Sequence, residues 1–305
     1  MDKLTVTSSP HIFHHDTTGG IMLDVILALV PAAICGVCFF GFHALLIIAV
    51  CIASAVAAEF LWCKAVKKET TLRDFSAVLT GLILALNLPP TLPLWMAMVG
   101  SAVAIVIVKQ MFGGLGSNFA NPAITARIVL MVSFPTAMTT FTVPFTDTIA
   151  SATPLSSENP VEITRLFIGN YAGCIGETSS LLLIAGGVYL VVCRIISPAI
   201  PLSFITSAFA LSLILGDDPV RAVLSGGLLL GAIFMATDYV TSPTSFKGKI
   251  IFGIGCGVIT VIIRHFGNMP EGVSFSILLM NILTPHIDRL TRQKPFGTEG
   301  ISDEK

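Results

Sequence analysis

The chain has 305 residues, of which 54% are hydrophobic and 11% are charged, and its formal net charge is −1. Soluble domains usually carry about a quarter charged residues, so this composition excludes an ordinary soluble enzyme and predicts a membrane protein. The near-zero net charge gives no indication of nucleic-acid binding.

Apolar stretches follow one another along the chain, separated by glycine, proline and charge clusters. Because about 20 helical residues cross a bilayer, they predict an all-α polytopic membrane protein with about ten transmembrane helices. Several stretches are shorter than that, which predicts tilted, broken or re-entrant helices. The predicted spans are residues 21–41, 43–62, 75–89, 94–109, 121–133, 180–197, 202–215, 222–237, 250–264 and 273–287.

The distribution of lysine and arginine predicts the orientation, because these residues collect on the cytoplasmic side of membrane proteins. An even number of spans puts both tails, residues 1–20 and 289–305, on one side, and a long loop, residues 135–179, on the other. The side with the tails would hold Lys3, Lys64, Lys67, Lys68, Arg73, Lys109, Arg194, Lys247, Lys249, Arg289, Arg292, Lys294 and Lys305, against Arg165, Arg221 and Arg264 on the other. Both termini are therefore predicted to be cytoplasmic.

Two segments of the first half recur in the second. AVLTGLIL (77–84) matches AVLSGGLL (222–229), and GSAVAIVIVKQMF (100–112) parallels GCGVITVIIRHFG (255–267). Five spans per half (21–134 and 180–288) is an odd number, so a duplication would give two inverted repeats. Such repeats often contain broken helices, for which 86–93 and 235–245 are candidates. The alternative is chance similarity between apolar segments.

A glycine-rich stretch, GGLGSNFANPAITAR (113–127), ends in an Asn-Pro helix start. Free amides at that start would favour an anion such as phosphate; the alternative is a tight cytoplasmic turn. Arg127 lies inside the fifth span, where a charge is normally paired or faces a polar cavity. Arg127 is therefore either a ligand or counter-ion residue, or a residue whose long side chain snorkels to the membrane surface.

Other polar residues carry weaker predictions. Asp238 is a candidate for lining a polar cavity, whereas Asp24 and Glu59 lie near span ends and are interpreted as interface residues. The seven cysteines fall within or beside spans and are interpreted as core residues. Cys35 and Cys38 form a CxxC pair that either stacks on one helix face or has a redox use. No metal-ligand set and no catalytic constellation is predicted.

The outer loop contains DTIASATP (147–154), in which Thr153 stands between a small Ala152 and Pro154. Proline favours an extended conformation at the residue before it, so the hydroxyl is displayed. By itself this is an ordinary loop.

Together, GGLGSNFANPAITAR, MATDYVTSP followed by GKIIFGIGCG, and DTIASATP resemble the D subunit of the Rnf complex, an ion-translocating ferredoxin:NAD oxidoreductase. A more distant resemblance is to the B subunit of the sodium-pumping NADH:quinone oxidoreductase, which has a longer N-terminal extension. The similarity covers essentially all ten spans. It implies that Thr153 is the acceptor of covalent FMN, transferred from FAD by a flavin transferase, with Asp147, Ser151 and Ala152 in the recognition motif. Asn118 and Arg127 are further candidate cofactor-binding residues.

The resemblance also implies a function in a bacterial or archaeal cell membrane. The protein would carry electrons between the ferredoxin and NAD ends of the complex, coupled to Na⁺ or H⁺ movement, with iron-sulfur and flavin subunits as partners. It leaves room for a second, non-covalent flavin such as riboflavin. The alternatives are a transporter or channel of inverted-repeat type without a redox cofactor, and a structural assembly subunit.

Overall fold

The computed structural model describes residues 17–68, 71–145, 149–150, 162–177, 179–267 and 272–292. Within these residues the regular secondary structure is helical apart from one short hairpin. The earlier helices are α1 (Thr18–Phe40), α2 (Phe42–Val66), α3 (Ser76–Leu86), α4 (Leu94–Ala102, continued by a π-helix, Val103–Gln110), α5 (Pro122–Ser133), α6 (Pro135–Met138) and α7 (Ile163–Ile168). The later helices are α8 (Ser180–Val192), α9 (Ala199–Leu215), α10 (Pro219–Leu224), α11 (Leu228–Leu230, continued by a π-helix, Gly231–Met235), α12 (Phe246–Phe266) and α13 (Val273–Thr291).

Among the described residues, three helices, α1, α2 and α12, are long and apolar enough to cross a membrane, and five shorter helices are also apolar. The chain is therefore a multi-pass membrane protein. The predicted helical membrane class is confirmed, whereas the count of ten spans stays a prediction.

Polar residues explain where several helices begin. The Thr17 hydroxyl oxygen accepts a hydrogen bond from the Gly20 amide at 3.1 Å, at the start of α1. Ser179 and Ser245 cap α8 and α12 in the same way. A side-chain oxygen at this position satisfies an amide that has no partner within the helix.

The predicted eighth span, residues 222–237, is wrong as one continuous helix. The chain leaves α10 at Ser225 and passes through Gly226 (φ 65°) and Gly227 (φ 67°) before α11 begins. Two successive residues with positive φ cannot continue a right-handed helix, and glycine adopts this conformation without a steric penalty. The predicted break near 86–93 is confirmed, because α3 ends at Leu86 and the chain stays non-helical until Leu94.

The helices before and after the long loop pack in similar patterns. In the first group α2 packs against α3 and α4, and the π-helix after α4 packs against α5. In the second group α9 packs against α10 and α12, and α12 packs against α13. Contacts of α1 with α8 and of α5 with α13 join the two groups.

Two ends of the bundle can be distinguished. The inner end contains the starts of α1 and α3, the 115–118 loop, the end of α8 and residues 238–240. The outer end contains the end of α1, the start of α2, residues 90–91 and strand β1 (Phe141–Thr142). We use the terms inner and outer because the charge distribution predicts the first set of segments on the cytoplasmic side of the membrane and the second set on the opposite side. At the outer end β1 pairs antiparallel with β2 (Ile149–Ala150).

Candidate functional site

A cavity of about 370 Å³ opens at the inner end, between the two groups of helices. Its wall is mainly apolar, with contributions from α1, α3, α8 and the π-helix that follows α11. A few polar residues interrupt this wall: Ser76, Thr80, Lys109, Asn118, Asn121, Thr237 and Asp238. An apolar cavity with a few convergent polar groups is typical of a site for a small molecule or cofactor.

Two of the polar residues come from different halves of the chain. Asn118, from the glycine-rich loop, is buried and donates to the Ala120 carbonyl oxygen at 3.0 Å. Asp238 follows the second π-helix, and its Oδ2 accepts from the Thr241 hydroxyl at 3.1 Å. Burial raises the pKa of the Asp238 carboxyl, and the hydrogen bond from Thr241 opposes part of that rise. Asp238 lines a cavity as predicted, but the wall of that cavity is mainly apolar.

The start of α5 is not the anion site that its amides suggested. Asn121 Oδ1 accepts from the Ala123 amide at 3.0 Å and from the Ile124 amide at 3.4 Å. Its Nδ2 donates to the Met235 carbonyl oxygen at 3.2 Å, which fixes α5 to the second π-helix. The chain therefore caps these amides itself, and Asn121 joins the two halves beside the cavity.

A buried ion cluster, formed by Thr71, Glu59, Ser76, Lys109 and Gln110, lies next to the cavity. Lys109 Nζ is within 3.0 and 3.1 Å of the two carboxylate oxygens of Glu59 and donates to Ser76 Oγ at 2.6 Å. The Gln110 amide and the Thr71 hydroxyl also donate to Glu59. Glu59 is 0% exposed and Lys109 2% exposed, so the interpretation of Glu59 as an interface residue is wrong.

Arg127 is also buried, at 2% exposure, and does not snorkel to the surface. Its Nη1 donates to Asn87 Oδ1 at 2.8 Å, and its Nη2 donates to Cys174 Sγ at 3.4 Å. Asn87 is the residue at which α3 stops, and Cys174 belongs to the buried 171–177 segment before α8. Arg127 therefore connects a helix break to this segment and is not part of the cavity wall.

The seven cysteines differ in burial. Cys51, Cys63, Cys174 and Cys256 are buried, as predicted, whereas Cys35 is half-buried and Cys38 and Cys193 are exposed. Cys38 lies in the last turn of α1 and Cys193 directly after α8, so they occupy opposite ends of the bundle.

The predicted flavin attachment residues Asp147, Ser151, Ala152 and Thr153 lie outside the described residues. Strand β2 (Ile149–Ala150) stands in the sequence between Asp147 and the other three residues. Of the other two predicted cofactor-binding residues, the structure brings Asn118 to the cavity and leaves Arg127 away from it.

Comparison with known proteins gives matches over nearly the whole chain. The NQR2, RnfD, RnfE family matches residues 5–297. The chain belongs to this family. It is 48% identical over 312 residues to the D subunit of the Na(+)-translocating ferredoxin:NAD(+) oxidoreductase complex of Acetobacterium woodii, covering 99% of this chain and 98% of the relative.

Two other members of the NQR2, RnfD, RnfE family show how broad the similarity is. The D subunit of a proton-translocating ferredoxin:NAD(+) oxidoreductase complex from Clostridium ljungdahlii is 43% identical, with 96% of each chain covered. The D subunit of an ion-translocating oxidoreductase complex from Methanosarcina acetivorans is 38% identical over the full length of both chains. The similarity to the D subunit of the Rnf complex is therefore confirmed.

The structure of this family member also shows polar residues that the sequence did not single out. Asn87, Ser76 and Cys174 have no motif around them, and each meets a charged partner at least 33 residues away in the chain. The isolated charge of Arg127 was the one signal that such partners exist.

Proposed function

We propose that this chain is the membrane subunit of an ion-translocating ferredoxin:NAD⁺ oxidoreductase complex and carries FMN on Thr153. The observation that carries the proposal is the near-full-length similarity to D subunits of such complexes, together with the DTIASATP stretch. The partners are the iron-sulfur and flavin subunits of the complex, and the electron flow is coupled to Na⁺ or H⁺ movement across the cell membrane.

Attachment of FMN has a simple chemical balance. The Thr153 hydroxyl oxygen attacks the FMN-side phosphorus of FAD, a phosphoester forms, the hydroxyl proton is lost and AMP leaves. A flavin transferase supplies the active site for this step, and the small side chain of Ala152 leaves access to the hydroxyl. The chain then acts as a tether, and the attached group supplies the redox chemistry.

The proposed topology is two inverted five-helix repeats with both termini in the cytoplasm. It is supported by the similar packing of the helices before and after the long loop. It is also supported by the grouping of segments predicted to be cytoplasmic at the inner end and of segments predicted to be outside at the outer end.

The inner cavity is proposed as the site of a second, non-covalent flavin. Its volume of about 370 Å³ and its mainly apolar wall fit a flat ring system. Asn118, Thr80 and Asp238 supply the polar groups that would fix the edge of such a ring.

The test for covalent flavin is in-gel fluorescence after coexpression of the chain with its flavin transferase. A fluorescent band is expected for the wild type and for Thr146→Val, which changes a neighbouring threonine outside the motif. The band should be dark in Thr153→Val, because valine has no hydroxyl to form the phosphoester.

A dark wild-type band under these conditions would contradict the proposal. Helix breaks such as the ones at Asn87 and Gly226 are also found in transporters, so the same protein should then be tested for solute flux in liposomes. Flux would support a transporter without a redox cofactor, and its absence would support a structural role in the complex.

A further inference from the structure

A separate pocket, about 600 Å³ in volume, lies where α12 begins and α13 ends. We call it the arginine pocket, and its wall is formed by Thr244, Ser245, Phe246, Asp288, Arg289 and Arg292. None of these six residues lines the inner cavity, so the flavin site proposed there does not account for this pocket.

The arginine pocket lies at a membrane surface. Helix α12 is long and apolar enough to cross the bilayer, and its first residue, Phe246, belongs to the pocket wall. The Phe246 side chain is 67% exposed, and Leu290 near the end of α13 is 87% exposed. Because the hydrocarbon layer begins near the end of a spanning helix, these apolar side chains are placed beside lipid chains.

Hydrogen bonds between the two helix ends hold the pocket together. Asp288 Oδ1 accepts from the Thr244 amide at 3.1 Å and from the Thr244 hydroxyl at 3.4 Å. The hydroxyl oxygens of Ser245 and Thr291 lie 2.6 Å apart. Ser245 Oγ also accepts from the Gly248 amide at 2.9 Å, so the chain itself caps this amide. The two walls are therefore joined without a ligand, which lowers the cost of binding one.

Positive charge dominates around the arginine pocket. Arg289 lies in the last turn of α13 and Arg292 directly after it, while Lys247 and Lys249 lie in the first turn of α12. Asp288 in the wall carries the opposite charge. Among the described residues, neither arginine side chain has an ion-pair partner. Two guanidinium groups in one wall repel each other, and their N–H donors match the oxygens of a phosphate bound between them.

We propose that the arginine pocket binds the headgroup of an anionic phospholipid, with Arg289 and Arg292 holding its phosphate and Phe246 contacting its acyl chains. The proposed topology places the pocket on the cytoplasmic side, where basic pockets between membrane helices bind such headgroups. The exposed apolar side chains favour a lipid over a soluble phosphate, because a lipid brings hydrocarbon chains together with its phosphate. This inference goes beyond the proposed function and does not need FMN on Thr153.

Native mass spectrometry of the detergent-solubilised full chain tests the preference for an anionic lipid. The chain is titrated with phosphatidylglycerol or with phosphatidylcholine that has the same acyl chains, and the lipid-bound fraction gives a Kd. Phosphatidylglycerol has a net negative charge and should bind the wild type roughly tenfold more tightly than the zwitterionic lipid. Equal affinities for the two lipids would overturn the proposal.

Two double variants separate the pocket from the general charge of this side of the protein. Arg289→Gln/Arg292→Gln should weaken phosphatidylglycerol binding roughly 25-fold, about fivefold for each cation. Both arginines are exposed, so this variant should melt like the wild type. The matched control, Lys67→Gln/Lys68→Gln, removes two exposed cations after α2 and should bind the lipid like the wild type. Equal weakening in the two double variants would overturn the assignment to this pocket.

Inorganic phosphate and a third variant distinguish a lipid from a soluble anion. When phosphate replaces chloride at constant ionic strength, bound phosphatidylglycerol should not be displaced. Phe246→Ala keeps every charge of the pocket but loses apolar contact, so it should weaken lipid binding several-fold. Displacement by phosphate, or unchanged lipid binding in Phe246→Ala, would overturn the assignment to a lipid.

Discussion

At the residue scale, the inner half of the bundle buries a complete ion pair. Lys109 and Glu59 neutralise each other, and Ser76, Gln110 and Thr71 add hydrogen bonds. A charge in a medium of low polarity is tolerated only with such partners. The pair links α2 to the π-helix that follows α4.

Lys109→Met should destabilise the protein strongly, because it leaves the Glu59 carboxylate without its cation. Removal of one partner from a buried pair costs roughly 3–5 kcal/mol. The measurement is the melting temperature of the detergent-solubilised protein. Lys64→Met, at an exposed position on α2, is the matched control and should melt like the wild type. The double variant Glu59→Leu/Lys109→Met should recover part of the loss, and a further loss would contradict the interpretation.

Arg127 holds the 171–177 segment through Cys174 and the end of α3 through Asn87. Arg127→Leu should therefore speed hydrogen exchange in the 171–177 segment, which mass spectrometry of its peptides can measure. Loss of a buried hydrogen-bond partner costs about 1–3 kcal/mol. Arg165→Leu is the control, because within the described part of the chain the Arg165 side chain forms an exposed pair with Glu162. Equal exchange in the two variants would show that Arg127 does not hold this segment.

At the element scale, small residues decide how closely helices approach. Gly253 and Gly257 lie one turn apart on α12 and face α9. A Cβ on Gly257 would lie 2.7 Å from the Phe204 carbonyl oxygen, and one on Gly253 would lie 2.9 Å from the Ile200 carbonyl oxygen. In a membrane, where lipid tails are as apolar as the helices, such close packing stabilises helix pairs.

Gly257→Ala should consequently lower the melting temperature through a clash with the α9 backbone, at a cost of about 1–3 kcal/mol. The matched control is Gly255→Ala on the same helix. The three atoms nearest to its Cβ would all belong to the Met280 side chain, which is flexible and can move away. Similar melting temperatures for the two variants would contradict the close packing of α9 and α12.

The break between α10 and α11 is stabilised by another helix. Arg264, at the end of α12, donates to the carbonyl oxygens of Ser225 at 3.1 Å and of Gly226 at 3.0 Å. The last carbonyl groups of a helix have no partner within the helix, so a cation here satisfies them. Arg264 corresponds in the proposed repeat to Lys109, which has the different partners Glu59 and Ser76.

At the scale of the whole molecule, the proposed topology puts Cys38 outside and Cys193 in the cytoplasm. In intact cells expressing Thr153→Val, a membrane-impermeant maleimide should label Cys38 and leave Cys193 unlabelled. In disrupted membranes both cysteines should react, since both are exposed. Labelling of Cys193 alone in intact cells would reverse the orientation. If neither cysteine reacted in disrupted membranes, that result would contradict their exposure.

Much of the fold could be predicted from the sequence, because it depends on the apolar length of each segment and on residues at helix starts. The composition determined the membrane class, and Asn121 followed by Pro122 determined the start of α5. The three prolines at 89, 90 and 93 separated α3 from α4. Each of these signals is local, so one stretch of chain contains the whole signal.

The tertiary structure alone decided which polar groups meet. Glu59 and Lys109 are 50 residues apart in the chain, and Asn87 and Arg127 are 40 residues apart. Asn121 in the first half bonds to Met235 in the second half. The break at Gly226 and Gly227 falls where the matching segment, 77–84, lies inside one continuous helix. These outcomes depend on the rotation and contact of packed helices, because a buried charge or a free carbonyl group is stable only when another helix supplies its partner.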